Sequence, residues 1–120
     1  MKKENLIATK SFDFSLSIIE LYIKLKSENE YVISKQLLRS GTSIGANIEE
    51  ATAAFSKKDF THKMSISSKE ARETKYWLRL LQKSNLTQIN VEPQLIEIQN
   101  LINILTKIVK TSQIDKLNNS

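Results

Sequence analysis

Cysteine is absent from this 120-residue chain, histidine and proline occur once each, and glycine occurs twice. Without cysteine there are no disulfides, no thiolate metal sites and no cysteine nucleophile. One histidine cannot supply a two-histidine metal motif. Two glycines and one proline are too few for the tight turns of a β-sandwich or barrel. Aromatic residues make up 7% of the chain. No apolar run approaches the roughly 18 residues of a membrane span. Met1-Lys2-Lys3 is followed by Glu4 and Asn5 rather than by the apolar core of a signal peptide. The expectation is a cytoplasmic protein with no membrane partner.

What is present is helical periodicity. The length suits a single domain, taken as residues 1–120 with a flexible polar tail from about 113. Phe14, Ile18, Leu21 and Leu25 recur at helical spacing in a first segment from about Asn5 to Ser27. Phe12, Leu16, Ile19 and Ile23 form a second apolar stripe beside them. Ser27-Glu28-Asn29-Glu30 reads as a connection. A second helix is predicted from about Tyr31 to Ala54, with Ile33, Leu37, Ser40, Ile44, Ile48, Ala51 and Phe55 on its periodic face. Both glycines, Gly41 and Gly45, fall inside it, each at a cost of about 1 kcal/mol relative to Ala. A loop over 40–47 is the alternative. The unbroken period favours a continuous helix, in which Gly41, Gly45 and Ala46 let a neighbouring backbone come close.

Ser56 and Asp59 have the spacing of a capping box at the start of a third helix, which runs to about Ser84 along Phe60, Met64, Ser67, Ala71, Thr74, Leu78 and Leu81. Asn90 suits an N-cap for a fourth helix, and Pro93 is tolerated in its first turn. Leu95, Ile98, Ile102, Leu105 and Val109 form one stripe there, and Leu101, Ile104 and Ile108 a second. Short connections make neighbouring helices antiparallel. The fold class is therefore all-α, an antiparallel up-down-up-down four-helix bundle. A helix in a monomer buries one stripe, so the extra stripes on the first and fourth helices predict further copies of the chain against them.

The segment from Gln36 to Ala51 is rich in Ser, Thr and Gly, yet it is no phosphate loop: no lysine follows the second glycine and no strand precedes it. Its polar residues suggest a structural network, in which Arg39 and Asn47 reach Glu70 and Glu73 of the third helix. Solvated side chains are the alternative. Glu49, Glu50, Glu70 and Glu73 include no Glu-x-x-His pair of the kind that binds metals in bundles. His62 sits in the first turn of the third helix, far from them. Ser40, Ser43, Ser67 and Ser68 have no histidine to act as base. No catalytic residue, metal or cofactor is expected.

The chain carries 18 basic and 13 acidic residues, for a net charge of +5. Residues 57–83 hold eight basic and three acidic groups, which equals the whole net charge. At about 100° per residue, Lys57, Lys69, Arg72, Lys75, Arg79 and Lys83 fall within an arc of about 120°. A one-sign stripe of this length suits a phosphate backbone, against the plainer reading of a solvated lysine face.

Two blocks carry a family resemblance. One is the segment from Gln36 to Ala51. The other is Lys69-Glu70-Ala71-Arg72-Glu73-Thr74-Lys75-Tyr76-Trp77-Leu78-Arg79-Leu80-Leu81, with Phe60 ahead of it. Together they resemble the bacterial four-helix-bundle proteins encoded in intervening sequences of large-subunit ribosomal RNA genes. The accessory variability protein of diversity-generating retroelements is similar to that family. The resemblance extends over about Lys10 to Lys110. Ser15 and Ser67 stand where the family favours small apolar residues, and Ala51 where Gly is frequent. The resemblance implies a barrel-shaped homopentamer, no enzyme activity and, in the retroelement relative, a basic surface serving nucleic acid and a reverse transcriptase. The leading expectation is a non-enzymatic oligomer that binds RNA or an RNA–DNA hybrid through the basic stripe. The alternative is an oligomeric scaffold that docks a larger protein such as a reverse transcriptase.

Overall fold

The computed structural model describes the backbone of residues 3–118 and the side chains of residues 6–114. It contains four helices: α1 (Lys3–Ser27), α2 (Ile33–Thr52), α3 (Lys57–Lys83) and α4 (Glu92–Asn118). The helix α2 passes without a break through both glycines, as the unbroken period predicted. Partner numbers fall along α3 as they rise along α2: Arg39 meets Glu70 and Glu73, Ser40 meets Thr74, the Ile44 carbonyl meets Ser67, and Glu50 meets Lys63. Between α3 and α4, Thr61 meets Ser112, Arg72 meets Thr106 and Lys75 meets Gln99. The arrangement is an up-down-up-down bundle. Packing joins α1 to α2, α2 to α3, α3 to α4 and α4 to α1, so α1 and α3 lie on a diagonal.

Local chemistry sets the helix ends. Asn29 has φ of 66°, and it closes α1: its own N–H donates to the Lys26 carbonyl and that of Glu30 to the Leu25 carbonyl. This is the left-handed helix stop that glycine usually provides and that Asn tolerates. Glu30 then starts α2. Its carboxylate accepts from the N–H groups of Val32, Ile33 and Ser34 at 3.1, 2.9 and 2.6 Å. A negative group there satisfies donors that the helix cannot and complements the positive end of its dipole. A segment that read as a plain polar connection is thus a stop followed by a start. At α3 Ser56 serves as the N-cap, the first half of the expected capping box, with the Asp59 N–H donating to Ser56 Oγ at 3.0 Å. At α4 the Asn90 side chain accepts from the Glu92 N–H at 3.0 Å.

The core runs the length of the bundle through Ile18, Leu25, Leu37, Ile44, Leu78, Ile98 and Leu105, all fully buried. Each such side chain contributes about 1.5–3 kcal/mol relative to exposure. The seam with α1 is close because of the glycines. A Cβ on Gly41 would lie 3.0 Å from Ile18 Cγ2, and one on Gly45 3.4 Å from Ser11 Oγ and 3.6 Å from the Ser11 carbonyl.

Several sequence expectations need correction. The second stripe of α4 does not lie open: Leu101 and Ile108 are buried and Ile104 is partly so. That helix packs on both α1 and α3, so it presents a wide face within one protomer. The second stripe of α1 does stay exposed, with Phe12 64% and Ile23 61% accessible beside Leu16 and Ile19. Phe55 lies past the end of α2 and is fully exposed rather than part of its buried face. The tail expected from about residue 113 belongs to α4 as far as Asn118; residues 119 and 120 lie outside the described residues.

Candidate nucleic-acid interface

Helix α3 carries charge on two flanks, and they are built differently. The flank toward α2 is paired. Arg39 donates from Nη1 to Glu70 Oε2 at 3.3 Å and from Nη2 to Glu73 Oε2. The same Glu73 oxygen accepts from the Trp77 indole N–H at 3.0 Å. Lys63 pairs with Glu50 at 3.1 Å. The hydrogen bond to Glu73, more than the two carboxylate charges, raises the Arg39 pKa above its ordinary value. The network expected from the sequence therefore forms, but at the surface: the Arg39 side chain is 49% exposed. Asn47 is not part of it. Its side-chain amide donates to the Ser43 carbonyl at 2.9 Å within α2. Two turns beyond Arg39 on an antiparallel pair, it has moved away from Glu70 and Glu73.

The buried polar contacts on this side are smaller, and sequence reading placed these residues on the seam without foreseeing their bonds. Thr74 Oγ1 donates to Ser40 Oγ at 2.9 Å, and Ser67 Oγ to the Ile44 carbonyl at 2.9 Å. All three side chains are fully buried. A hydroxyl tolerates burial only with a partner, and each has one. Short side chains at facing positions were the available signal.

The flank toward α4 is open and unpaired. Two adjoining hollows follow the α3/α4 seam. One, of about 310 Å³, is lined by Arg72, Lys75, Tyr76, Arg79, Gln99 and Ile102. The other, of about 240 Å³, brings Lys110 of α4 together with Ser68, Lys69, Arg72 and Thr106. Arg72 is common to both. No carboxylate lines either hollow. Arg72 Nη2 donates to Thr106 Oγ1 at 3.2 Å, and Lys75 Nζ to Gln99 Oε1 at 2.6 Å. Neutral partners orient these cations without cancelling their charge, and each keeps donors in reserve. Cations one turn apart lie within a Debye length of about 10 Å, so their fields add.

Of the six stripe residues, four line the hollows: Lys69, Arg72, Lys75 and Arg79. Lys57 and Lys83, the first and last residues of α3, line neither. The stripe proposed on α3 alone is in fact a seam, to which α4 adds Lys110 and the polar face of Gln99 and Thr106. Tyr76, half-exposed inside the stripe, was also not among the expected site residues. Its position seven residues from both Lys69 and Lys83 was the readable sign.

Elsewhere, His62 is exposed. Among the described residues, no group of three or more His, Asp or Glu is placed to hold a metal ion. No described helix is long and apolar enough to cross a membrane.

Comparison with known proteins agrees with this architecture. The family model of the 23S rRNA-intervening sequence protein matches residues 3–111. The chain belongs to that family. The chain is also similar to a solved structure, that of a protein of unknown function from the S23 ribosomal protein family of Bacteroides thetaiotaomicron. That protein is 41% identical, with a TM-score of 0.83 over 91% of this chain and 99% of its own. No match was found among curated proteins. The family match spans both blocks that carried the resemblance, and the solved relative supports the four-helix fold over nearly the whole domain.

Proposed function

We propose that this protein is a non-catalytic homo-oligomer that binds nucleic acid, either RNA or an RNA–DNA hybrid, along the α3/α4 seam. The observation that carries the reading is the run of Lys69, Arg72, Lys75, Arg79 and Lys110 in two joined hollows with no carboxylate among them. Cations held one turn apart without counter-charges favour a polyanion over a neutral ligand. Self-association rests on the apolar stripe Phe12, Leu16, Ile19 and Ile23 on α1. That helix is diagonal to α3, so copies packed on it leave the basic seam accessible. The family resemblance favours a pentamer. In light scattering, the expected mass is several times 13.7 kDa.

The test is salt-dependent binding. Log affinity for RNA is expected to fall with log salt at about −0.7 per phosphate contact for a single strand and −0.9 for duplex DNA. Reversing Arg72, Lys75 and Arg79 to Glu is expected to weaken binding by about a hundredfold and flatten that slope, while the oligomer persists. The control reverses Lys10, Lys24 and Lys26 on α1, which changes net charge equally and leaves the seam intact. Equal losses in the two triples would reduce the effect to bulk charge and defeat the assignment. The same α1 stripe, with the groove lined by Ala8, Ser15, Gly45 and Ala46, also supports a second reading as an oligomeric scaffold that docks a larger protein such as a reverse transcriptase. A native protein with no salt-sensitive binding to RNA would leave that second reading in its place.

A further inference from the structure

We infer that the α3/α4 seam takes single-stranded nucleic acid, with Tyr76 as the surface on which an unstacked base lies. This rests on the nucleic-acid reading and goes further, because it selects the single strand over a hybrid or other duplex. Three observations carry it.

The first is the position of Tyr76. It follows Arg72 by four residues and precedes Arg79 by three, so all three side chains share one side of α3. Lys69 and Lys83 extend the same line by two turns in each direction. The aromatic ring therefore interrupts a row of cations. Such a row reads backbone phosphates on any nucleic acid, but a ring within it has no partner on a duplex, whose bases are stacked inside. On a single strand every base offers a face.

The second is the state of the ring. Tyr76 is 54% exposed, and its hydroxyl has no hydrogen-bond partner among the described residues. Its ring meets that of Trp77 edge to face, at 5.2 Å between centroids and 67° between planes. Trp77 is in turn tied to Glu73, so the neighbour that touches the tyrosine is itself fixed. An aromatic side chain braced in this way loses little further freedom when a base stacks on it.

The third is the lining of the hollow. Beside Tyr76 lies Ile102, and around them are Arg72, Lys75, Arg79 and the Gln99 amide. Apolar surface between cations and an amide suits a base with its phosphate. Arg72 and Lys75 are anchored to α4, and the hollow of about 310 Å³ is small beside a duplex, whose cylinder would bridge it rather than enter it. The arginines can also stack their guanidinium planes on a neighbouring base.

The full-length protein is tested by fluorescence anisotropy with a labelled 12-nucleotide RNA, single-stranded and then annealed to its complement, at several salt concentrations. The single strand is expected to bind about tenfold more tightly than the duplex. Tyr76→Leu is expected to weaken single-strand binding by about tenfold, within the range of one lost base stack. Duplex binding should change less than about twofold, and the salt slope should stay as it is, because the ring neutralises no phosphate. Tyr76→Phe and Tyr76→Trp should restore single-strand binding. Tyr76→Gln makes the same comparison if the leucine variant loses its helical circular dichroism. Should Tyr76→Leu bind like the native chain while the triple reversal at Arg72, Lys75 and Arg79 abolishes binding, the single-strand inference is overturned and the nucleic-acid reading survives. Equal affinity for strand and duplex has the same consequence. Absence of salt-sensitive binding to either probe overturns both.

Discussion

Around α2 the bundle is closed, whereas along the α3/α4 seam it is open, and the residues at each place account for the difference. On α2, glycine meets Ile18 and Ser11 of α1, buried hydroxyls bond across to α3, and Arg39 and Glu50 find opposite charges. Each of these polar groups has a partner inside the protein. On the far side of α3, Lys69 and Arg79 have no carboxylate partner among the described residues, and Arg72 and Lys75 are held only by neutral groups. One helix thus has one flank that contributes to the fold and one that leaves charge available for a ligand.

Gly41 offers the strongest way to break the comparison. Gly41→Ala must displace Ile18 from a 3.0 Å approach and is expected to destabilise by about 1–3 kcal/mol, the usual range for overpacking. Gly45→Ala is its control, because the added methyl meets Ser11 at ordinary contact distance and the helix gains up to about 1 kcal/mol of propensity. Thermal melts of the two variants should move in opposite directions.

Arg39→Ala probes the paired flank at its surface. Its side chain is half-exposed, so the loss is expected at about 1 kcal/mol or less, well short of a buried pair. A denaturant titration measures it, and a loss of several kcal/mol would mean that Glu70 and Glu73 depend on Arg39 as buried carboxylates would. On the open flank, Lys69→Gln with Arg79→Gln should leave stability within about 0.5 kcal/mol. If that double change were as costly as Gly41→Ala, the seam would belong to the fold rather than to a ligand.

Much of this architecture was legible beforehand. The 3.6-residue period located four helices, and Ser56 and Asn90 marked two of their starts. The basic arc on α3 pointed to the helix whose cations line the two hollows. Less legible were the contributions of a second helix. Lys110, Gln99 and Thr106 join the site only because α4 runs antiparallel to α3 at a particular register. Asn47 was grouped with Arg39 for the same reason in reverse: side chains two turns apart on one helix face different partners on the next. The stop at Asn29 and the start at Glu30 were hidden because both residues are ordinary in a polar connection. Only the backbone angle of one and the carboxylate direction of the other make them caps.

By itself, the sequence determined the helices, their order, the apolar face each turns inward and the concentration of charge on α3. These follow from local geometry, since spacing along a helix decides what shares a face. Tertiary structure decided what stands opposite each face. It covered the second stripe of α4 and left that of α1 bare, because α4 packs with a wide face against two neighbours while the outer stripe of α1 meets none. It paired Arg39 with Glu70 and Glu73, and it set Arg72 and Lys75 against neutral residues. A charge on a helix is paired or free according to the register of the neighbouring helix, and that register arises from packing the whole core at once.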